Sequence, residues 1–156
     1  MRAASLKEIK TTLENLPPKE LLSLCLKLSK FKKENKELVT YLLFEEQDEE
    51  SYIASVKSEI DLAFESLNLV SIYIAKKNIR RIIRIANRYI KYSEKESTLV
   101  TLLIYVCNKI NESGLELNKS QALTNIYASL VKKINIAISS MHEDLQYDYK
   151  KEVELL

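Results

Sequence analysis

Glycine is almost absent from this chain, with Gly114 the single instance among 156 residues. Strand-rich and mixed folds use glycine at turns of positive φ, so its scarcity points to helices joined by short polar turns. It also leaves no glycine-rich loop to cradle a nucleotide phosphate, and no GxSxG elbow presents a serine nucleophile. The lone histidine, His142, provides no second imidazole for the repeated His and Glu spacing of helical zinc or di-iron sites. The two cysteines, Cys25 and Cys107, lie in separate apolar runs without CxxC spacing. They read as small buried hydrophobes in a reducing compartment, and the apolar setting of Cys25 argues against a reactive thiolate. No apolar run reaches the roughly 18 residues of a membrane span. The segment MRAASLKEIK has no apolar signal core, so the expectation is a cytoplasmic, soluble protein. Together these absences argue against an enzyme and imply no cofactor.

Leu, Ile, Lys, Glu, Asn and Ser dominate, and none of them blocks a long helix. A chain of 156 residues suits a single all-α domain with a real core. Leu6, Ile9, Leu13 and Leu16 give a short helix over 5–16, started by Ser5 and ended by Pro17-Pro18. A second helix from Pro18 carries Leu21, Leu24, Cys25, Leu28 and Phe31, widened by Leu22 and Leu26. Asn35 can cap a third, and Asp48 or Ser51 a fourth, whose three-four alternation runs from Ile53 to Ile74. Asn78 then starts a basic helix. A sixth holds Leu99, Leu102, Leu103, Val106 and Ile110 and stops at Gly114. A seventh runs from about Ser120 past Met141 and Leu145, leaving 147–156 as a tail.

Sliding the chain by 61 positions sets Leu21-Leu22 on Ile82-Ile83 and Leu38-Val39-Thr40 on Leu99-Val100-Thr101. An offset of 74 sets Ala54-Ser55 on Ala128-Ser129 and Ile60 on Ile134. The expectation is therefore a compact bundle of about seven helices. It would comprise an N-terminal helix and two copies of a three-helix unit, 18–75 and 78–146. The strings LCLKLSKFKKENKELVTYLLFE, AKKNIRRIIRIANRYIKYS and MHEDLQYDY resemble an uncharacterised bacterial family of all-helical proteins. That resemblance implies a helical fold and transfers no activity.

The net charge is only +2, but it is unevenly spread. From Glu45 to Glu65 stand eight acids and Lys57; from Lys76 to Lys95 stand eight bases and Glu94. In NIRRIIRIANRYIKYSEK, Arg81, Arg84, Arg88, Lys91 and Lys95 step by three and four opposite an apolar stripe. Arg81, Arg84, Arg88 and Lys91 could meet the phosphates of RNA or DNA, and Tyr92 beside them could stack on a base. Alternatively the cations pair with Glu59, Asp61 and Glu65 of the preceding helix, as complementary neighbours commonly do. His142 with Asp144 and Asp148 is a weak candidate for a divalent metal. Tyr147 and Tyr149, in polar surroundings, are candidates for a partner surface. The leading expectation is a non-enzymatic scaffold or adaptor that binds a protein partner or forms a homodimer; nucleic-acid binding is the alternative.

Overall fold

The computed structural model describes residues 2–67 and 71–156. Among them are eight α-helices and no strand. The chain divides into two compact units, Met1–Phe44 and Glu45–Leu156.

The first unit holds three helices. In α1, Leu6–Glu14, Ser5 and Glu8 form a reciprocal capping box: Glu8 N donates to Ser5 Oγ at 3.3 Å, and Ser5 N to Glu8 Oε2 at 2.7 Å. Pro17 is extended and Pro18 opens α2, Pro18–Phe31, where a missing N–H costs nothing. One extended residue, Lys32, separates α2 from α3, Lys33–Thr40. Asn35 lies inside α3 rather than at its cap, and its amide donates to Leu28 O of α2 at 2.9 Å. A π-helical turn, Tyr41–Glu45, follows.

The second unit opens with α4, Glu49–Glu65, capped by Asp48, whose carboxylate accepts from Ser51 N at 3.1 Å. Helix α4 ends at Glu65, well short of Ile74. Ser71 caps α5, Ile72–Ser93, by accepting from Ile74 N at 3.2 Å. Asn78 is thus interior to α5, because the stripe Ala75, Ile79, Ile82, Ala86, Ile90 continues unbroken from the first turn. Val70, taken for the fourth helix's seam, lies outside the described residues.

Helix α6, Glu96–Glu112, packs against α4, α5, α7 and α8. Consequently Val100 and Ile104 are buried along with the expected Leu102, Leu103, Val106, Cys107 and Ile110. Burial pushes the Cys107 thiol up to about 12. After Gly114, at φ 73°, comes a 3₁₀ turn, Leu117–Lys119. Helix α7, Gln121–Ser140, stops before Met141 and His142, both extended. Ser139 Oγ and Ser140 Oγ donate back to Ile136 O and Ala137 O, each at 2.7 Å, an alternative to continuing the helix. The expected tail is instead α8, Glu143–Glu154. Tyr127 Oη and Asn111 Nδ2 hold its end by donating to Leu156 O at 3.1 and 3.2 Å. The boundary at Phe44 and Glu45 runs through the segment read as the first repeat copy: α4 groups with α5–α8, and α2 and α3 with α1.

Between α5 and α6, Glu94 adopts φ 57°, ψ 6°, the left-handed region, and donates its N–H to Ile90 O at 3.0 Å. Glycine there would shed the Cβ penalty. We expect Glu94→Gly to raise the unfolding free energy by about 0.5–1 kcal/mol in urea denaturation. A loss would show that the Glu94 side chain has a stabilising contact.

Asp61 of α4 meets α6. Tyr105 Oη lies 2.7 Å from both its carboxylate oxygens, and Lys109 Nζ 2.8 Å from Oδ1. Burial works against the Asp61 carboxylate, but the bonds from Lys109 and Tyr105 outweigh it and hold its pKa below the usual value. Tyr105 is raised, by burial first and then by its bond to Asp61; Lys109 is raised chiefly by its bond to Asp61. A depressed carboxylate adds stability that is full above about pH 4 and fades as pH falls through the lower folded pKa. The raised Tyr105 and Lys109 add stability present below about pH 10 and lost above it. Urea midpoints should therefore hold between these limits and fall in acid, and Asp61→Asn should flatten the acid limb. An unchanged limb would assign it to other carboxylates.

Candidate functional site

Helix α5 buries Ala75, Ile79, Ile82, Ala86 and Ile90 and turns a basic face outward. Arg81, Arg84 and Lys91 are exposed, and among the described residues none of the three has an ion-pair partner. Arg84 Nε donates to Arg80 O at 3.3 Å. The acids that could have matched the ridge do not: Asp61 is turned to Tyr105 and Lys109, and Glu59 and Glu65 are exposed.

Arg88 is half-buried, with its guanidinium 4.9 Å from the Tyr89 ring centroid and Nη2 3.4 Å from Tyr89 Oη. Lys95 leaves the ridge, because its ammonium sits 2.7 Å from Glu49 Oε2. Tyr92 cannot offer its ring to a base: it is buried, edge-on to Tyr89 at 5.9 Å. Tyr52 Oη donates to Tyr89 O at 2.8 Å, so the three tyrosines join α4 to the end of α5.

A second basic stripe lies beside the ridge. Lys76, Lys77, Arg80 and Arg84 line one wall of a groove of about 810 Å³ between α5 and α7. The facing wall carries Ala122, Asn125 and Ser129, and Ile83, Ile126 and Leu130 supply aliphatic surface. Among the described residues no carboxylate lines it. Tyr73 stands at one end, 72% exposed, with the Lys76 ammonium 5.8 Å from its ring centroid. Beyond Arg84 and Leu130, Lys133 Nζ donates to Asn87 Oδ1 at 2.6 Å and links the two helices. Partial burial holds the Lys133 ammonium below its usual pKa. Four cations on one wall with no acid beside them make a field that attracts anions. Starting the basic helix at Asn78 leaves Lys76 and Lys77 outside it, and stepping the ridge from Arg81 leaves Arg80 off it. The spacing from Tyr73 through Lys76, Lys77 and Arg80 to Arg84 was the available signal.

The remaining candidates lie at the start of α8 and along it. His142 Nδ1 lies 3.4 Å from Asp144 Oδ2, both at the exposed start of α8. Among the described residues no three His, Cys, Asp or Glu side chains gather as a metal group, so Asp148 does not complete one. Tyr149 is no open partner surface, since its hydroxyl lies 3.1 Å from Thr101 Oγ1 and docks α8 on α6. Tyr147 is exposed, with the Lys151 ammonium 4.1 Å from its ring centroid.

The first unit presents different chemistry. No residue of α1, α2 or α3 is buried. Leu22, Leu26, Leu28 and Phe31 of α2 are exposed, Phe31 by 75%, as are Leu42, Leu43 and Phe44 after α3. Cys25 is exposed too, contrary to its reading as a core residue. Among the described residues no helix is long and apolar enough to cross a membrane. Comparison with protein-family models, curated proteins and solved structures finds no match.

Proposed function

We propose that this chain is a non-enzymatic helical adaptor of the cytoplasm that pairs with a second copy of itself through α2 and the turn after α3. The observation that carries this reading is the uncovered apolar surface from Leu22 to Phe44. Large apolar side chains left in water in such density mark a surface that another molecule covers. A second copy is always present at the same concentration. Pairing would withdraw Leu22, Leu26, Leu28 and Phe31 of both copies from water. At about 1–2 kcal/mol each for partial cover, that is of the size needed to offset an association cost of about 4–15 kcal/mol. The cysteines, both unpaired, suit a reducing compartment.

Light scattering should return a mass near twice 18.1 kDa. Leu22→Glu with Phe31→Glu should return the monomer mass with helicity unchanged. A monomer for the native chain at high concentration would reject the pairing.

The unpaired Arg81, Arg84 and Lys91 favour a second reading, a nucleic-acid-binding module. It predicts retention on heparin that falls steeply with salt and disappears in Arg81→Glu with Arg84→Glu. Under the adaptor reading the same variant keeps the paired mass, and a labelled oligonucleotide does not bind at physiological salt.

A further inference from the structure

We propose that the groove between α5 and α7 seats an acidic amphipathic helix from a partner protein. The proposal goes beyond self-pairing: it names a partner that other helices of the chain take.

The two walls specify the guest. The α5 wall carries Lys76, Lys77, Arg80 and Arg84, and the α7 wall carries Ala122, Asn125 and Ser129 without charge. At about 1.5 Å per residue, Lys76 to Arg84 spans about 12 Å, a little over two helical turns. Acids on one flank of a guest helix, recurring every three or four residues, meet that row. The aliphatic surface from Ile83, Ile126 and Leu130 takes the guest's apolar stripe, as in helix-in-groove recognition. Asn125 and Ser129 face its other flank, which needs polar groups but no charge.

A nucleic-acid strand fits less well. Its phosphates would find the cations, but its bases would find isoleucine and leucine. Tyr73 at the end of the groove is the single aromatic ring among the lining residues. Nor do the cations have a nearer partner: among the described residues Lys77, Arg80 and Arg84 make no ion pair, and Lys76 contacts only the Tyr73 ring.

The test is fluorescence anisotropy on the full chain with a labelled synthetic helix of about four turns. This probe carries leucine on one stripe, glutamate on one flank and glutamine on the other. A second probe replaces every glutamate by glutamine, and a third is a labelled single-stranded oligonucleotide. The acidic helix should bind, and the glutamine probe should bind about tenfold or more weaker. Arg80→Glu with Arg84→Glu, which removes charge, and Ser129→Trp, which fills the groove, should each weaken the acidic helix about tenfold. Circular dichroism of both variants confirms that they fold. No binding of the acidic helix, equal binding of the glutamine probe, or indifference to Ser129→Trp would overturn the proposal. So would an oligonucleotide that binds tighter than the acidic helix and is lost in the same variants. Light scattering of these variants reads self-pairing separately, so either proposal can fail while the other stands.

Discussion

Leu103→Ala should lower the unfolding free energy by about 3–5 kcal/mol, a large share of the roughly 5–15 kcal/mol that holds a domain together. Leu103 has no accessible surface, and its helix, α6, packs against α4, α5, α7 and α8. Truncation removes the transfer energy of the side chain and leaves a cavity that cannot close easily, because neighbours press from several sides. Leu102, Val100 and Cys107 on the same helix are equally inaccessible, so the defect cannot relax towards solvent along α6. Urea denaturation followed by circular dichroism gives the number. A loss under about 1 kcal/mol would mean that the site collapses around the smaller residue and that α6 is not the packed centre.

The second large effect is expected at Glu49, in the first turn of α4. Its Oε1 accepts from Ser93 Oγ and Thr98 Oγ1, each at 2.5 Å, and its Oε2 lies 2.7 Å from Lys95 Nζ. One carboxylate thereby joins α4 to the turn between α5 and α6. Thr98 has no accessible surface and Ser93 is nearly buried, so removing the acceptor strands both hydroxyls away from water. Glu49→Ala should cost about 3 kcal/mol, since each buried donor left unmet costs about 1–3 kcal/mol and a charged bond is lost as well. Glu49→Gln keeps an acceptor oxygen and should recover about half of that. If Gln were as damaging as Ala, the charge on Lys95 rather than the two hydroxyls would set the cost.

These two sites differ in how visible they are from the chain alone. That α6 is apolar can be read from Leu99, Leu102, Leu103, Val106 and Ile110. That Val100 and Ile104 are buried as well cannot be read from periodicity, because it depends on four helices closing round one. Glu49 sits in the polar run EEQDEES, where any of its acids could equally face water. Only the distant Ser93, Lys95 and Thr98 single it out.

The breaks between helices divide in the same way. Pro17-Pro18, Gly114 and the caps Ser5 and Asp48 mark ends that local chemistry enforces. The stop at Ser140 carries neither glycine nor proline, and the serine hydroxyls that favour it are ordinary inside helices too. Placing the start of the basic helix at Asn78 rather than Ile72 had the larger consequence. It removed Tyr73, Lys76 and Lys77 from the helix and hid the stripe that faces α7. Tyr92, beside the ridge in sequence, points inward against Tyr89.

What the amino-acid order determined alone was the helical class, most helix starts and the basic face of α5. These follow from propensity, capping and a period of 3.6, all of which act over a few residues. Tertiary packing decided the rest: which cations stay unpaired, which tyrosines turn inward, and where a groove remains between two helices. Such outcomes depend on the side chains that distant segments bring to the same place, and a local pattern carries no record of them.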